Sequence, residues 1–192
     1  MDWYLSHRAD RRALLLADRH YNRQRPGSGQ FVPPGRCLVL LTAGADALWV
    51  TSWPLPAYVK HPWPGAWVCS CFRNESPALS SDLIRQAVAA TRFRWPDVPP
   101  LGMVTFIDPR RVRKKRDWGR CFLRAGFVPC GRTKGGLLAV RLTPDRMPPA
   151  EAALGTQLSL FGSLPRAPRV RHTGAARADL RSAGYPTDAH GP

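Results

Sequence analysis

The sequence predicts one α/β domain of about 145 residues followed by a flexible tail, and three observations predict it. Within residues 1–143, segments with apolar residues at helical spacing alternate with short apolar runs of strand length, which is the pattern of helices packed on a sheet. At 192 residues, with 44% hydrophobic side chains, seven Trp and seven Phe, the chain can bury one core large enough to offset the entropy of ordering it, while two would be cramped. Beyond Thr143, Pro, Ala, Gly and Arg dominate and periodicity vanishes, so residues 144–192 are expected to be largely disordered.

The elements follow in order. Between Ala9 and Arg23 the residues Ala13, Leu14, Leu16, Ala17, His20 and Tyr21 repeat at helical spacing, with Asp10 placed as an N-cap, so an amphipathic helix ending near Tyr21 is predicted. Asn22 to Arg36 is a loop by its prolines and glycines, and it carries Arg23, Arg25 and Arg36. Cys37–Thr42 and Leu48–Trp53 read as a hairpin around Gly-Ala-Asp, and Trp67–Phe72 as a third strand beyond the proline-rich loop Trp53–Pro64. Ser80 or Ser81 is expected to cap a helix over Asp82–Phe93. Leu101–Ile107 is a continuous apolar strand stopped by Asp108-Pro109, and Asp117–Ala125 is a short helix closed by Gly126. Val128–Thr133 and Leu137–Leu142 form a hairpin through Lys134-Gly135-Gly136. There the domain ends, at residue 143.

Charge narrows the partners. There are 29 Lys+Arg against 13 Asp+Glu, a formal +16. Residues 150–192 hold five Arg and three acids, so +14 belongs to residues 1–149. A basic folded body favours a phosphate-tracking surface, because neutralised phosphates release counterions; the bland alternative is charge that serves only solubility. Arg110, Arg111, Arg113, Lys114, Lys115 and Arg116 place six cations in seven residues with no acid among them. Their mutual repulsion points to a polyanion, so these residues, with Arg23 and Arg25, are the candidate DNA contacts; such contacts position a protein without reading sequence.

The chain opens Met1-Asp2-Trp3 and contains no apolar run near the ~20 residues that span a bilayer. A cytoplasmic, nucleoid-associated protein with no membrane partner is expected. Cys37, Cys69, Cys71, Cys121 and Cys130 are an odd count without a disulfide framework. Cys69-x-Cys71 lacks zinc-knuckle spacing, so it reads as two buried thiols on one face of a strand, with no metal expected.

The order helix, strand, strand, strand, helix, strand, helix, strand, strand resembles the GNAT acyltransferase fold, a mixed central sheet flanked by helices. Gly119-Arg120-Cys121-Phe122-Leu123-Arg124-Ala125-Gly126-Phe127, followed by Gly131-Arg132-Thr133-Lys134-Gly135, looks like the late helix-strand passage of that family. Its CoA-using members cradle the pyrophosphate with a glycine loop at a helix N-terminus. Here Phe72 to Ser81 contains no glycine, which counts against acetyl-CoA and leaves the donor unknown, although the Ser80/Ser81 helix start can still hold an anion. His20-Tyr21 followed by a proline-rich loop, together with the basic surface, resembles the phage Mom family of DNA adenine-modifying proteins. That resemblance implies transfer of a carbamoylmethyl-type group to the exocyclic amine of adenine, with the base extruded from the duplex. It places the functional positions on His20, Tyr21, Arg73, Ser81 and Asp108. Phe122 stands where that family tends to have Tyr.

Each of these residues has a plainer reading. His20 is the one histidine inside an expected core element, a proton acceptor or a helix-end residue bonded to a carbonyl. Tyr21 stacks on an extruded base or packs. Asp108 sits at the carboxyl end of a central strand, where α/β sites gather, and also works as a strand terminator. Arg73, Asn74 and Glu75 read as a polar wall of the site.

Gln157-Leu158-Ser159-Leu160-Phe161 is an island in the tail that matches, at every position, the bacterial sliding-clamp-binding pentapeptide Gln-Leu-Ser/Asp-Leu-Phe. Leu160 and Phe161 would fill an apolar groove of the clamp while Gln157 anchors by hydrogen bonds. The alternative is a short strand or helix turn packed back on the core. Two function classes follow: a DNA-modifying GNAT-like transferase tethered to the sliding clamp, or a non-catalytic GNAT-like DNA- and clamp-binding protein that competes with or recruits replication and repair factors.

Overall fold

The computed structural model describes residues 1–112 and 117–155. Its frame is a seven-stranded sheet in the order β1-β2-β3-β4-β5-β7-β6. The strands are β1 (Trp3–Ser6), β2 (Arg36–Thr42), β3 (Ala47–Trp53), β4 (Trp67–Asn74), β5 (Met103–Ile107), β6 (Val128–Arg132) and β7 (Leu138–Leu142). Three α-helices accompany them: α1 (Arg11–Asp18), α2 (Ser80–Arg94) and α3 (Arg120–Arg124). All neighbours pair antiparallel except β4 and β5, which are parallel because α2 crosses between them. The sheet is therefore mixed, with helices on its faces.

On one face Leu83, Ile84, Ala87 and Val88 of α2 pack with Trp49, Trp67, Met103 and Leu142 of the sheet. On the other, Ala13, Leu16 and Ala17 of α1 meet Val39, Leu41, Leu48 and Val50. Further along that second face Trp63 and Ala66, from the β3–β4 connection, cover Val104 and Ala139. Among the described residues no helix is long and apolar enough to cross a membrane.

Every expected element is present, with ends moved by a few residues, and β1 is added in front. Its four residues show too little alternation to read as a strand; tertiary contacts make it one. Trp3 is wholly buried and its indole N–H donates to the Leu83 carbonyl at 2.8 Å. Asp10 caps α1 as expected, accepting from the Arg12 amide at 2.9 Å. The helix stops at Asp18, short of Tyr21, because the Asp18 carboxylate instead binds the Gly27 amide at 2.8 Å and Arg23 Nε at 2.7 Å. These bonds draw the chain into the 22–35 loop.

The expected serine cap of α2 is corrected. Leu79 is the N-cap and makes no side-chain bond. The start of α2 is held by Asn74, whose amide nitrogen donates to the Ala78 carbonyl at 2.8 Å and Ser80 Oγ at 3.0 Å while its oxygen accepts from the Ser76 amide.

The shared face for Cys69 and Cys71 is also corrected. The register of β4 against β3 steps between Val50/Thr51, so that Val50 faces Cys71 and Thr51 faces Cys69. Ser70 is the extra residue of a β-bulge, and one extra residue reverses the side-chain alternation. Cys69 joins the α2-side core and Cys71 the α1-side core. Both are buried, and burial raises both thiol pKa values, Cys71 to about 12.

The body does not end at Thr143. Arg92 Nη1 donates to the Pro148 carbonyl at 2.6 Å, and the Glu151 amide donates to Ala89 at 3.2 Å. Leu154 then pairs with Tyr4 as a parallel bridge along β1. Residues 144–155 thus form a strap over α2 to the β1 edge. The peptide Gln157–Phe161 lies outside the described residues, as do Arg113, Lys114, Lys115 and Arg116.

Candidate active site

The parallel ladder of β4 and β5 holds for three pairs, Trp67↔Met103, Val68↔Val104 and Cys69↔Thr105. Beyond it the strands part, and the gap is a cavity of about 790 Å³. Its floor is Cys69 to Phe72 and Thr105 to Ile107, and its walls are the start of α2, α3 and the His20-Tyr21-Asn22 turn. Phe122 closes the base, its ring 5.9 Å from that of Phe72 and 6.5 Å from that of Trp49. A second cavity of about 440 Å³ lies under the 22–35 loop. The two share His20, Asn22, Ser70 and Cys71, so the bulge and the His20 turn stand where they meet.

His20 is half-buried and its pKa is lowered to about 4, first by burial and then by the nearby Arg73 charge. Its Nδ1 accepts the Asn22 amide at 3.2 Å. That bond assigns the proton of the neutral ring to Nε2, which makes the free edge of His20 a hydrogen-bond donor. The Tyr21 ring lies 4.5 Å from that of His20 and its hydroxyl reaches the Phe106 carbonyl at 3.4 Å. Burial raises the Tyr21 phenol pKa, opposed by a hydrogen bond from the Asp108 backbone. Arg111 Nη1 donates to the Tyr21 carbonyl at 2.8 Å, so this turn is tied to the end of β5.

Of the five residues named from the resemblance, the structure brings His20, Tyr21 and Ser81 to the cavity and leaves Arg73 and Asp108 outside its lining. Arg73 bonds the Arg19 carbonyl and Glu75, which Arg19 also grips at 2.8 and 2.7 Å. This ionic knot fastens the end of α1 to the end of β4 and lowers the Glu75 pKa to about 2 through hydrogen bonds from Arg19 and then Arg73. The expected polar wall over Arg73–Glu75 is therefore a joint between two elements. Asp108 accepts from the Arg110 amide at 2.9 Å and from Arg110 Nε at 3.1 Å, and so shapes the turn after β5.

The candidate DNA contacts also separate. Arg23 is mostly enclosed, spending its guanidinium on Asp18, Gln30 and Ser28, and holds the loop together. Arg25 is exposed at the second cavity. Arg110 and Arg111 remain 77% and 62% exposed although both lean on Asp108.

Several lining residues went unread in the sequence: Asn22, Ser70, Thr105, Arg85, Arg120 and Arg124. Thr105 did carry a signal, being the lone hydroxyl in an apolar strand; its Oγ1 donates to the Cys69 carbonyl at 3.0 Å. Arg85 pairs with Asp82 and donates to the Arg124 carbonyl at 2.7 Å, and Arg120 pairs with Asp117 at 3.1 Å. Three arginines against two carboxylates leave that wall cationic. Among the described residues no group of three His, Cys, Asp or Glu could hold a metal ion.

Searches with this chain found no matching family model, no matching curated protein and no matching solved structure.

Proposed function

We propose that the chain is a GNAT-like transferase acting on DNA, Mom-like in modifying the exocyclic amine of adenine, and tethered to the replication sliding clamp through Gln157–Phe161. The observation that carries this reading is the meeting of two cavities at His20 and the Ser70 bulge. A group transfer needs a donor and an acceptor brought together, and two recesses sharing one wall supply that geometry. Support for the GNAT-like part comes from the order α1, β2, β3, β4, α2, β5, α3, β6, β7, on which the resemblance rests.

In this reading the donor occupies the larger cavity against its cationic wall. The glycine-free, Asn74-held segment before α2 speaks against acetyl-CoA there. His20 Nε2–H donates to a carbonyl of the transferred group, and Tyr21 flanks the extruded base. The amine nitrogen forms the new bond to carbon as the donor's leaving group departs, and the amine proton goes to that leaving group or to water.

One observation favours the second reading, a catalytically silent DNA- and clamp-binding protein. Neither the imidazole nor the thiol where the two cavities meet is poised to exchange a proton near neutrality, because burial lowers His20 to about 4 and raises Cys71 to about 12. Mass spectrometry of nucleosides from expressing cells separates the two. Modified adenine that disappears in His20→Ala supports the transferase; unmodified adenine in the wild type leaves only the binder. For the tether, Leu160→Ala/Phe161→Ala should abolish recovery of the clamp in a pull-down, and undiminished recovery ends that part of the proposal.

A further inference from the structure

The face of β5, β7 and β6 under the β3–β4 connection meets the larger cavity at the end of β5, where Thr105, Phe106 and Ile107 line it, and carries further features outside both cavities. The connection is stiffened by Pro54, Pro56, Pro62 and Pro64, and it presents Leu55 and Tyr58 to solvent at 68% and 80% exposure. Proline fixes the backbone, so this is a rigid projection rather than a floppy one. Three residues past Tyr58, the His61 ring lies 4.9 Å from that of Phe106 at a tilt of 48°, and Trp63 lies 5.9 Å from Phe106. Phe106 also lines the larger cavity and its carbonyl receives Tyr21. His61, Trp63 and Phe106 thus form an aromatic cluster that ends at the cavity mouth, three residues past the exposed Tyr58.

The same face is short of negative charge. Residues 54–64, β5, β6 and β7 contain no Asp or Glu, while Lys60, Arg132 and Arg141 lie among them. Arg141 projects from β7 on the side of Ala139, and its Nε is buried with no hydrogen-bond partner among the described residues. A buried cationic donor with no acceptor is costly unless an anion arrives to satisfy it.

We infer that this face is a path for a single strand of nucleic acid, with unpaired bases stacked on Tyr58 and His61 and phosphates neutralised by Lys60 and Arg141. Aromatic rings alternating with unpaired cations suit a strand whose bases are free to stack, whereas an intact duplex offers no base faces. An acidic peptide would use the cations and leave the exposed rings idle. The inference rests on the DNA reading above for its choice of polyanion, and it adds the form of the substrate: the strand is opened, or already single, before a base reaches the cavity.

The test is fluorescence anisotropy of a labelled oligothymidylate of about 15 nucleotides at low ionic strength, using the full chain. Tyr58→Ser and His61→Ser should each weaken binding about tenfold, and Lys60→Gln should flatten the salt dependence. Arg141→Gln is the sharper probe of the orphaned donor, but Arg141 sits in the sheet, so the exposed Tyr58 and Lys60 variants carry the test if it fails to fold. Unchanged affinity in a Tyr58→Ser/Lys60→Gln double variant overturns the inference. So does displacement of the oligonucleotide by poly-glutamate as efficient, per charge, as by unlabelled oligothymidylate. Absence of modified adenine alongside position-sensitive oligonucleotide binding would sink only the transferase reading; modified adenine alongside insensitive binding would sink only this one.

Discussion

His20 is neutral because its surroundings make charge expensive, and the consequence is measurable. Its folded pKa, about 4, lies below the ordinary 6.5. The unfolded chain therefore takes up this proton first as pH falls, so the contribution to stability is complete above 6.5, declines between 6.5 and 4, and changes no further below. We expect the His20 ring resonance to titrate with a midpoint near 4, and Arg73→Gln to move that midpoint upward by removing the nearby charge. A midpoint at 6.5 would mean the ring is solvated. Denaturation midpoints of His20→Asn should fall less than those of the wild type across the same interval. Gly102 tests backbone fit. At φ +66° a side chain is strained, and a Cβ there would stand 2.1 Å from the Leu142 carbonyl oxygen. Gly102→Ala should cost at least ~2 kcal/mol in urea denaturation; a cost near zero would mean that β7 gives way.

At the scale of elements, α2 begins without a capping side chain of its own and depends on Asn74 two turns of chain earlier. Asn74→Ala should lower stability by about 1–2 kcal/mol, as lost caps do, and the loss should appear as faster amide exchange at Ser80–Leu83; unchanged exchange would show that the helix start is held elsewhere. The element order from α1 to β7 was legible because long apolar runs and proline-glycine punctuation are local signals. β1 was not, since its four residues become a strand only through antiparallel pairing with β2 and burial of Trp3 against α2. The bulge at Ser70 was equally silent, because a one-residue slip appears only when β4 is laid on β3, and it decides which cysteine faces which core. His20 and Tyr21, legible as polar-aromatic residues at a helix end, line the larger cavity. Arg73, Asp108 and Arg23 tie neighbouring segments together, a role the sequence hides because a charged residue next to a loop looks alike whether it faces a ligand or holds the chain. Arg85, Arg120 and Arg124 sat on helices, where cations usually mean solvent.

For the whole molecule, the +14 carried by residues 1–149 is spread over a body whose cavity wall and β5–β7–β6 face both lean positive. A polyanion would be drawn to either before any specific contact forms. The body itself extends past the point where its hydrophobic pattern stops, by way of the strap that ends at Leu154 beside Tyr4. Ending the protein at Thr143 would peel that ribbon away and bare the outer rim of β1, whose amides and carbonyls would then be free to recruit a second molecule's sheet. Light scattering should find such a shortened protein self-associating, while one ending after Gly155 behaves as the intact chain does; a monodisperse 1–143 fragment would show that the rim protects itself. Twelve residues that look like the beginning of a leash are, on this view, the hem that keeps the fabric from fraying.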